Sequence, residues 1–335
     1  IKLLSFIARE CRKLETVMET IETKYSDDSY EGAICLPPKA NLYLDDPVAV
    51  VDYSSLYPSA MISENLSHDS KVWTKEYDLD GNITKITGIR DQSGVFIYDN
   101  LHGYEYVDIT YDRFKWSSKT SNGPKTVKKK VGIKVCRFAQ FPNGKRGILP
   151  TILEQLLKAR KDVRALIKYK TLTTKTGEKY TGIIKQMENI SYLTQKNGCD
   201  IQINNSNIAL VEDTYDDFMK NVFDKRQLGY KITANSLYGQ TGSKTSSFYD
   251  QDIAASTTAT GRLLLTFAKR SIEEIYNKRI CDSEYGPIIV TAEYLYGDTD
   301  SVFFRFNFSD MEGNKVYGKR ALKLTIEFAQ KVGAF

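Results

Sequence analysis

The sequence has almost no histidine and no paired cysteine motif. His68 and His102 are the only histidines in 335 residues, and the five cysteines are scattered without a CxxC pair. A zinc site built on His and Cys, or a hydrolase built on a catalytic His, therefore has almost no raw material. An odd number of scattered cysteines is typical of reduced thiols, so we expect an intracellular protein.

Long apolar runs are also missing. No stretch approaches the roughly 20 apolar residues that a transmembrane helix needs. The first residues lack both an initiator Met and the layout of a signal peptide, so we expect the chain to be the interior of a longer protein. Apolar residues make up 41% and charged residues 27%, as in soluble globular proteins. Helices and strands are predicted without regular alternation, which favours an α+β fold.

The net charge of +5 is small, but the charges are unevenly distributed. Eleven Lys and Arg, and no Asp or Glu, lie between Arg113 and Arg146, with Phe114 and Trp116 among them. Such a segment suits a nucleic-acid strand, by charge and by stacking. A solvated, exposed hairpin is the alternative, and the sequence leaves both open.

Two carboxylates lie in a tight turn near the end of the chain. Asp298 and Asp300 are flanked by apolar residues whose pattern predicts two short strands joined by a hairpin. At its tip two ionised carboxylates repel each other unless a cation lies between them. Oxygen ligands without His or Cys favour Mg²⁺ or Mn²⁺. The alternative is an ordinary turn, because Asp, Gly, Thr and Ser also cap their own backbone.

A third carboxylate, Asp52, follows the β-branched run 47–51, which predicts a buried strand. Pro58 then favours a turn, and we expect Ser59 to cap the helix that follows. The backbone N–H groups of a turn that leads into a helix are suited to phosphate oxygens. Asp52 would therefore lie beside an anion-binding turn.

Two helices are predicted on either side of a polar connection. The first, over 147–167, carries an apolar stripe and places Arg160, Arg164 and Lys168 on another face, where they either bind an anion or simply extend into water. Residues 171–212 are polar and turn-like, so we predict a tip or connection there. Elsewhere the pattern predicts a helix over 1–24, strands and turns over 72–134, and helices over 253–275 and 315–332.

The second helix runs from about Asp216 to Gly239. It aligns Lys231, Asn235 and Tyr238 on one face, where a cation, an amide and a ring can bind a phosphate, a polar edge and a base or sugar. If this face and the three carboxylates converge, they form a site for phosphoryl transfer. Two divalent ions about 3.5–4 Å apart would there stabilise the attacking and the leaving oxygen, and catalysis would rest on positioning and charge neutralisation.

These segments resemble the three polymerase motifs of the family B DNA polymerases. Residues 52–59 (DYSSLYPS) are similar to the first motif, 231–239 (KITANSLYG) to the second and 296–301 (YGDTDS) to the third, in the family's order. The run 254–262 (AASTTATGR) also fits. Residues 103–111 resemble, more weakly, polymerases of large nucleocytoplasmic DNA viruses.

The resemblance implies a polymerase palm with an antiparallel sheet and helices, interrupted by a two-helix fingers insertion. Residues 1–146 would hold the N-terminal helix and the first part of the palm, with a β-rich insert at about 72–134. Residues 147–239 would be the fingers, and residues 240–335 the second part of the palm. The exonuclease and thumb would lie outside these residues.

The implied reaction is template-directed DNA synthesis in replication, in which a dNTP is joined to a primer 3′-OH with two Mg²⁺ ions, or Mn²⁺ in their place. Primer-template DNA and dNTPs would be the partners, with a sliding clamp or other replication factors bound through other regions. The protein would act in the nucleus or in a viral replication compartment of the host cytoplasm.

The resemblance also implies roles for individual residues. Asp52 and Asp300 would be the principal metal ligands, the Tyr53 carbonyl would assist, and Asp298 would lie beside them in a less direct catalytic role. The Tyr57 ring, packed under the sugar, would exclude a 2′-hydroxyl. Backbone amides of Ser55, Leu56 and Tyr57 and side chains of Arg160, Arg164, Lys231 and Asn235 would bind the nucleotide, and Tyr238, Gly239, Thr241 and Gly242 would contact DNA.

One position departs from the family pattern. The family usually has Lys four residues after the Arg that matches Arg160, whereas this chain has Arg164, which keeps the charge but changes the donor geometry. Two rival functions share the carboxylates. A metal-dependent nuclease would need neither Lys231 nor Tyr57, and a degenerate nucleic-acid-binding module would need no catalysis.

Overall fold

The computed structural model describes residues 2–17, 28–44, 46–118 and 125–334. In this part of the chain all paired strands are antiparallel and helices alternate with them irregularly, so the predicted α+β class is confirmed. The helices are α1 (Lys2–Lys13), α2 (Leu56–Ser63), α3 (Ile148–Ile167), α4 (Asp217–Gly242), α5 (Gln251–Ile275) and α6 (Gly318–Val332).

The strands form three sheets. They are β1 (Asp28–Tyr30), β2 (Cys35–Leu36), β3 (Val48–Asp52), β4 (Lys71–Tyr77), β5 (Ile83–Gly88), β6 (Glu105–Ser118), β7 (Lys125–Gln140), β8 (Lys170–Thr174), β9 (Lys179–Gln186), β10 (Ile190–Thr194), β11 (Asp200–Asn204), β12 (Ile208–Asp213), β13 (Arg279–Ser283), β14 (Gly286–Asp298) and β15 (Ser301–Ser309). Among the described helices none is both long and apolar enough to cross a membrane.

The chain divides into two compact units. One comprises Ile1–Val17 and Thr151–Leu237, and the other Met18–Pro150 and Tyr238–Phe335. Helix α1 thus belongs with the segment 151–237, whereas the sequence-based division grouped it with residues 1–146. That helix ends at Lys13, and the predicted continuation over 18–24 falls outside the described residues.

The first unit contains a sheet that the sequence pattern did not predict. Strands β8–β12 form it in the order β11-β10-β9-β8-β12, so the prediction of a polar tip or connection over 171–212 was wrong. Its small core consists of Leu172, Leu193 and Ile203, whereas apolar residues such as Ile190, Leu210 and Val211 are exposed. The apolar alternation is therefore weak, and the predicted pair of helices, α3 and α4, is accompanied by five strands.

The second unit contains the sheet that carries Asp52 and Asp298. Its order is β13-β14-β15-β3, and β2 pairs with β14. Strand β15 alternates strictly, and its buried residues Phe304, Phe306 and Phe308 form a cluster with Phe328 of α6. Burial of each such ring contributes on the order of 1.5–3 kcal/mol, so the strand next to Asp52 is firmly anchored.

Strand β3 was predicted to be buried, and only one of its faces is. Ala49 is buried, whereas the side chains of Val48 and Val50 are 39% and 53% exposed. Because β3 is the edge strand of its sheet, it has a partner on one side only. The β-branched run predicted the strand correctly but not its position in the sheet.

The remaining strands of the second unit form a separate sheet in the order β1-β6-β7-β4-β5. The strands predicted over 72–134 are therefore present, and β6 and β7 form a long hairpin. The turn predicted at Asn122 and Gly123 falls outside the described residues.

Candidate active site

The two carboxylates near the end of the chain lie in an exceptionally tight turn. Strand β14 ends at Asp298, β15 begins at Ser301, and these two residues pair directly, which confirms the predicted hairpin. Thr299 between them has a φ of 53°, and the Asp300 N–H donates to the Asp298 carbonyl at 2.6 Å. A bond from i+2 to i across a residue of positive φ has the form of the rare, strained γ-turn. A β-branched residue at positive φ is an outlier, and such strain is concentrated at functional sites.

The third carboxylate lies beside this turn. Asp52 pairs with Ser301 across β3 and β15, and the Tyr53 N–H donates to the Asp300 carbonyl at 2.8 Å. Asp298, Ser301 and Asp52 therefore form one row across three neighbouring strands. Since neighbouring strands are about 4.8 Å apart, the Asp52 and Asp298 backbones are separated by about 10 Å. Folding thus brings carboxylates from distant parts of the sequence to one end of one sheet.

A short segment that the sequence pattern did not single out holds the turn from its other side. The Thr299 N–H donates to the Ile34 carbonyl at 3.0 Å, and Cys35 pairs with Asp298. The Tyr296 hydroxyl lies 3.4 Å from the Cys35 sulfur. This hydrogen bond, together with the negative charge of Asp298, raises the pKa of Tyr296 to about 12.

The donor set at this end of the sheet fits a hard divalent cation. Asp52 and Asp298 are exposed and Asp300 is half-buried. Among the described residues, no three or more His, Cys, Asp or Glu side chains are gathered as a ready-made metal site. Mg²⁺ usually binds through one or two carboxylates, with waters and substrate phosphates as its remaining ligands. The residues therefore suit an ion that is bound together with a phosphate-bearing substrate.

Helix α2 begins directly after Asp52 and Tyr53. Ser55 occupies the N-cap position in a left-handed conformation, and α2 starts at Leu56. The prediction that Ser59 caps this helix was wrong, because Ser59 lies inside it and its hydroxyl donates to the Ser54 carbonyl at 3.0 Å. The side chain of Ser55 makes no cap hydrogen bond. The first-turn amides of a helix point out of its N-terminus, which is the arrangement that binds anions.

Tyr57 connects α2 with the hairpin and with the end of α4. Its ring centroid lies 4.5 Å from that of Tyr238. A Cβ atom at Gly261 of α5 would lie 3.0 Å from the Tyr57 ring, so a glycine is needed for this close approach. Burial raises the pKa of Tyr57, and the negative charges of Asp300 and Asp298 raise it further. The ring thus lies within the electrostatic reach of both hairpin carboxylates.

Two contributors to this cluster were not identified from the sequence. The Tyr30 hydroxyl is hydrogen-bonded to the Tyr238 hydroxyl. A Cβ atom at Gly242 would lie 2.7 Å from the Tyr30 hydroxyl oxygen, which is too close for a side chain. The Arg262 Nη1 donates to the carbonyls of Glu31 and Gly32, each at 2.8 Å. The only sequence signal was the run that ends at Arg262, since a three-residue strand such as β1 has no detectable period.

Helix α4 ends later than the sequence pattern indicated. A loop was predicted from Gln240, but α4 continues to Gly242. The Thr241 hydroxyl is buried and donates to the Tyr238 carbonyl at 2.7 Å. Gly239 is exposed, with open space around it. Of these residues, Gly239 presents an open surface, whereas Thr241 contributes to the helix end itself.

The other predicted nucleotide-binding residues belong to the first unit. Arg160 of α3 donates from Nε to the Gln227 side chain of α4 at 3.3 Å. Lys231 follows Gln227 by four residues, one helical turn, and Lys231 and Asn235 are both exposed on α4. Arg164 is exposed on α3. Within this unit, Arg160 of α3 therefore makes the contact with Gln227, and Lys231 of α4 lies one helical turn from that contact.

Much of the basic segment between Arg113 and Arg146 is neutralised by acids of the second unit. Arg137 contacts Asp99 at 3.0 Å and Asp108 at 2.6 Å. Arg113 contacts Glu76 at 3.0 Å, and Lys130 contacts Asp112 at 2.8 Å. Phe114 and Trp116 share one face of the hairpin with Lys128 and Lys130, whereas Lys115 and Lys129 lie on the opposite face.

A buried ionic network joins the sheet of β1, β6, β7, β4 and β5 to helix α5. Asp252 near the start of α5 accepts from Lys71 at 3.2 Å, from Lys134 at 2.7 Å and from the Tyr111 hydroxyl at 2.9 Å. Lys71 also contacts Asp250, which caps α5. Burial acts to raise the pKa of Asp252, but Lys71 and Lys134 outweigh it and hold this pKa well below its usual range. The network fixes the start of the helix that carries Gly261.

The chain is similar in sequence to known DNA polymerases. The model of DNA polymerase family B matches residues 1–187 and 207–332. The chain is 47% identical over 336 aligned residues to a DNA polymerase of Phaeocystis pouchetii virus, with 99% of this chain and 28% of the relative covered. It is 41% identical to a DNA polymerase of Pyramimonas orientalis virus, with 99% and 24% covered.

One solved structure in the comparison is that of the family B DNA polymerase from the archaeon Pyrobaculum calidifontis. Its TM-score is 0.44 at 20% identity, with 97% of this chain and 27% of that chain covered. The chain thus spans about a quarter of the length of each of these relatives.

Proposed function

Because this chain belongs to DNA polymerase family B, we propose that it carries the nucleotidyl-transfer site of a DNA-directed DNA polymerase. The reaction joins the α-phosphate of a dNTP to the 3′-hydroxyl of a primer and releases pyrophosphate. Primer-template DNA and dNTPs are the proposed substrates. The observation that carries the proposal is the pairing of Asp52 with Ser301, because it sets the first-motif carboxylate beside the turn of Asp298 and Asp300.

In this proposal the carboxylates of Asp52 and Asp300, with the Tyr53 carbonyl, hold two divalent cations, with Mg²⁺ as the natural ion and Mn²⁺ as a substitute. When bound, such ions lower the charge repulsion between nucleotide and primer and stabilise the attacking and leaving oxygens. Asp298 has the less direct role. Its partners are consistent with this assignment, since it lies on the row next to Ser301 and beside Tyr296.

The chain's own residues bind and orient the nucleotide. Backbone amides of Ser55, Leu56 and Tyr57 at the start of α2 donate hydrogen bonds to triphosphate oxygens. Within the first unit, Arg160, Arg164 and Lys231 are proposed to bind phosphates, and Asn235 is proposed to order the bound nucleotide. Tyr238, Gly239, Thr241 and Gly242 are the proposed contacts to DNA, with Thr241 acting through its backbone because its hydroxyl is bound internally.

Primer extension tests the function in the protein at its full natural length. A labelled primer annealed to a longer template is incubated with Mg²⁺ and dNTPs. We expect growth of the primer to the end of the template, with the base at each step set by the template. Shortening of the primer without growth would identify a nuclease, and binding without any change in length would identify a non-catalytic module.

Tyr57 is proposed to select the sugar. Its ring packs against Tyr238 and Gly261, and this packing would hold it where it excludes a 2′-hydroxyl. We expect Tyr57→Ala to raise ribonucleotide incorporation relative to dNTP incorporation by at least about a hundredfold, since steric exclusion of this kind is worth ~3 kcal/mol. The ratio of kcat/KM for the two sugars measures the effect. Tyr53→Phe, which keeps a ring at a neighbouring position, serves as the control, and unchanged discrimination in Tyr57→Ala would reject the assignment.

A further inference from the structure

One face of the long hairpin formed by β6 and β7 carries Tyr30, which belongs to the cluster of Tyr30, Tyr57 and Tyr238. Tyr30 of β1 pairs with Arg113 of β6, and Asp28 pairs with Lys115. Lys115 in turn pairs with Lys129 of β7. Side chains in register and two residues apart share a face of a sheet, so Tyr30, Arg113, Lys115 and Lys129 lie on one face. Since Tyr30 on this face is hydrogen-bonded to Tyr238, the face continues outward from the proposed active site.

Lys115 and Lys129 form an exposed pair of like charges on this face. The side chain of Lys115 is 55% exposed, and Lys129 is also exposed. Like charges directly opposite each other on paired strands destabilise a sheet. The nearest acid, Asp28, lies 3.9 Å from the Lys115 nitrogen and also contacts Arg113 at 3.7 Å. Asp28 is thus shared by Lys115 and Arg113, so the charges of Lys115 and Lys129 are only partly offset and this face keeps a positive charge.

The opposite face of the same hairpin differs. There the Lys128 nitrogen lies 4.6 Å from the centre of the Phe114 ring and donates to the Tyr30 carbonyl at 2.6 Å. Lys130 is paired with Asp112 at 2.8 Å. Lysines on that face are thus already bound within the protein. Among the described residues of the hairpin, the exposed lysine pair whose charge is only partly offset therefore lies on the face that carries Tyr30.

The spacing suits the backbone of a nucleic acid. Lys115 is two residues beyond the partner of Tyr30, and a strand rises about 3.4 Å per residue, so Lys115 lies about 7 Å further along the strand. Successive phosphates of a duplex strand advance by about 3.4 Å along the helix axis. DNA whose backbone reaches the Tyr30 position would therefore have phosphates within reach of the lysine pair.

We propose that Lys115 and Lys129 bind backbone phosphates of the DNA held at the active site, by charge and without reading its sequence. This inference rests on the proposed function. Lysines that neutralise phosphates release counterions, and each such contact adds about 0.9 to the slope of log K against log salt. The hairpin would then act as a grip that keeps the polymerase on its substrate, separate from the residues that bind the nucleotide.

The test compares DNA affinity across a salt series in the protein at its full natural length. The double variant Lys115→Gln and Lys129→Gln removes both charges. We expect it to weaken binding of a primer-template duplex about tenfold at 0.15 M salt and to lower the salt slope by roughly 2. Two duplexes of unrelated sequence should lose affinity equally. The matched control removes two exposed lysines elsewhere in the second unit, Lys278→Gln and Lys319→Gln, and should leave the slope unchanged.

The outcomes separate this inference from the proposed function. If the wild-type protein extends primers and the hairpin variant keeps the wild-type salt slope, the hairpin assignment is wrong and the polymerase assignment stands. If the variant shows a smaller salt slope of DNA binding but the wild-type protein never extends a primer, the hairpin assignment stands and the polymerase assignment is wrong. Circular dichroism checks the fold of the double variant. Should it be unfolded, Lys129→Gln alone replaces it, with an expected slope change of about 1.

Discussion

Replacing Asp52 by Asn should lower the rate of nucleotide addition by at least about a thousandfold, while DNA binding and folding remain intact. Asn keeps the shape of the side chain but removes the charge that holds a divalent ion, and an ion that stabilises transition-state charge contributes several kcal/mol. About 4 kcal/mol corresponds to this factor. Folding should be unaffected, because Asp52 is exposed at the end of an edge strand.

Single-turnover extension at saturating dNTP measures this rate, and DNA affinity is measured separately. Asp282→Asn is the matched control, because Asp282 is an exposed aspartate on β13, the opposite edge strand of the same sheet. It should extend primers at the wild-type rate. A wild-type rate in Asp52→Asn would mean that the carboxylate at the end of β3 has no part in the chemistry.

Replacing Asp252 by Asn should destabilise the protein by about 1.5–3 kcal/mol, because Lys71 and Lys134 would each lose a charge-assisted contact and keep only Asp250 and Glu76 as acid partners. A chemical denaturation curve measures the free energy of unfolding. The loss should also displace the start of α5, since Asp250, the residue that caps this helix, shares Lys71 with Asp252.

Asp213 offers a matched comparison for this network. It also lies between two lysines, Lys170 and Lys220, but its side chain is 41% exposed. Exposed ion pairs contribute about 0–1 kcal/mol, so Asp213→Asn should change the stability by no more than that. Equal losses in the two variants would show that burial does not control the strength of these contacts.

The sequence was sufficient to predict the elements that carry the site but not how they meet. Apolar residues on both sides of Asp298 and Asp300 predicted the hairpin, and the β-branched run before Asp52 predicted the strand. The pairing of Asp52 with Ser301 joins residues far apart in the sequence, and no local pattern specifies such a register. Only the resemblance of the three motifs to one family indicated that they converge.

The features that the sequence pattern predicted wrongly have physical explanations. The sheet over β8–β12 has only three buried apolar core residues and leaves Ile190, Leu210 and Val211 exposed, so its strands lack the regular apolar alternation that would have identified them. Ser59 was assigned as a helix cap because Pro58 favours a turn. The left-handed conformation of Ser55 begins α2 earlier, and Pro58 is accommodated in the first turn, where its missing N–H costs little. The ion pairs of the basic segment depend on tertiary contacts that a count of charges cannot show.

Asp52 and the hairpin carboxylates are proposed to hold divalent ions together with the nucleotide. Electron paramagnetic resonance of Mn²⁺ measures this directly, in a complex of the protein with primer-template DNA that lacks a 3′-hydroxyl and the matching dNTP. We predict two bound Mn²⁺ per wild-type complex, loss of at least one in Asp52→Asn and in Asp300→Asn, and no loss in Asp282→Asn. Wild-type Mn²⁺ binding in both Asp52→Asn and Asp300→Asn would contradict the account.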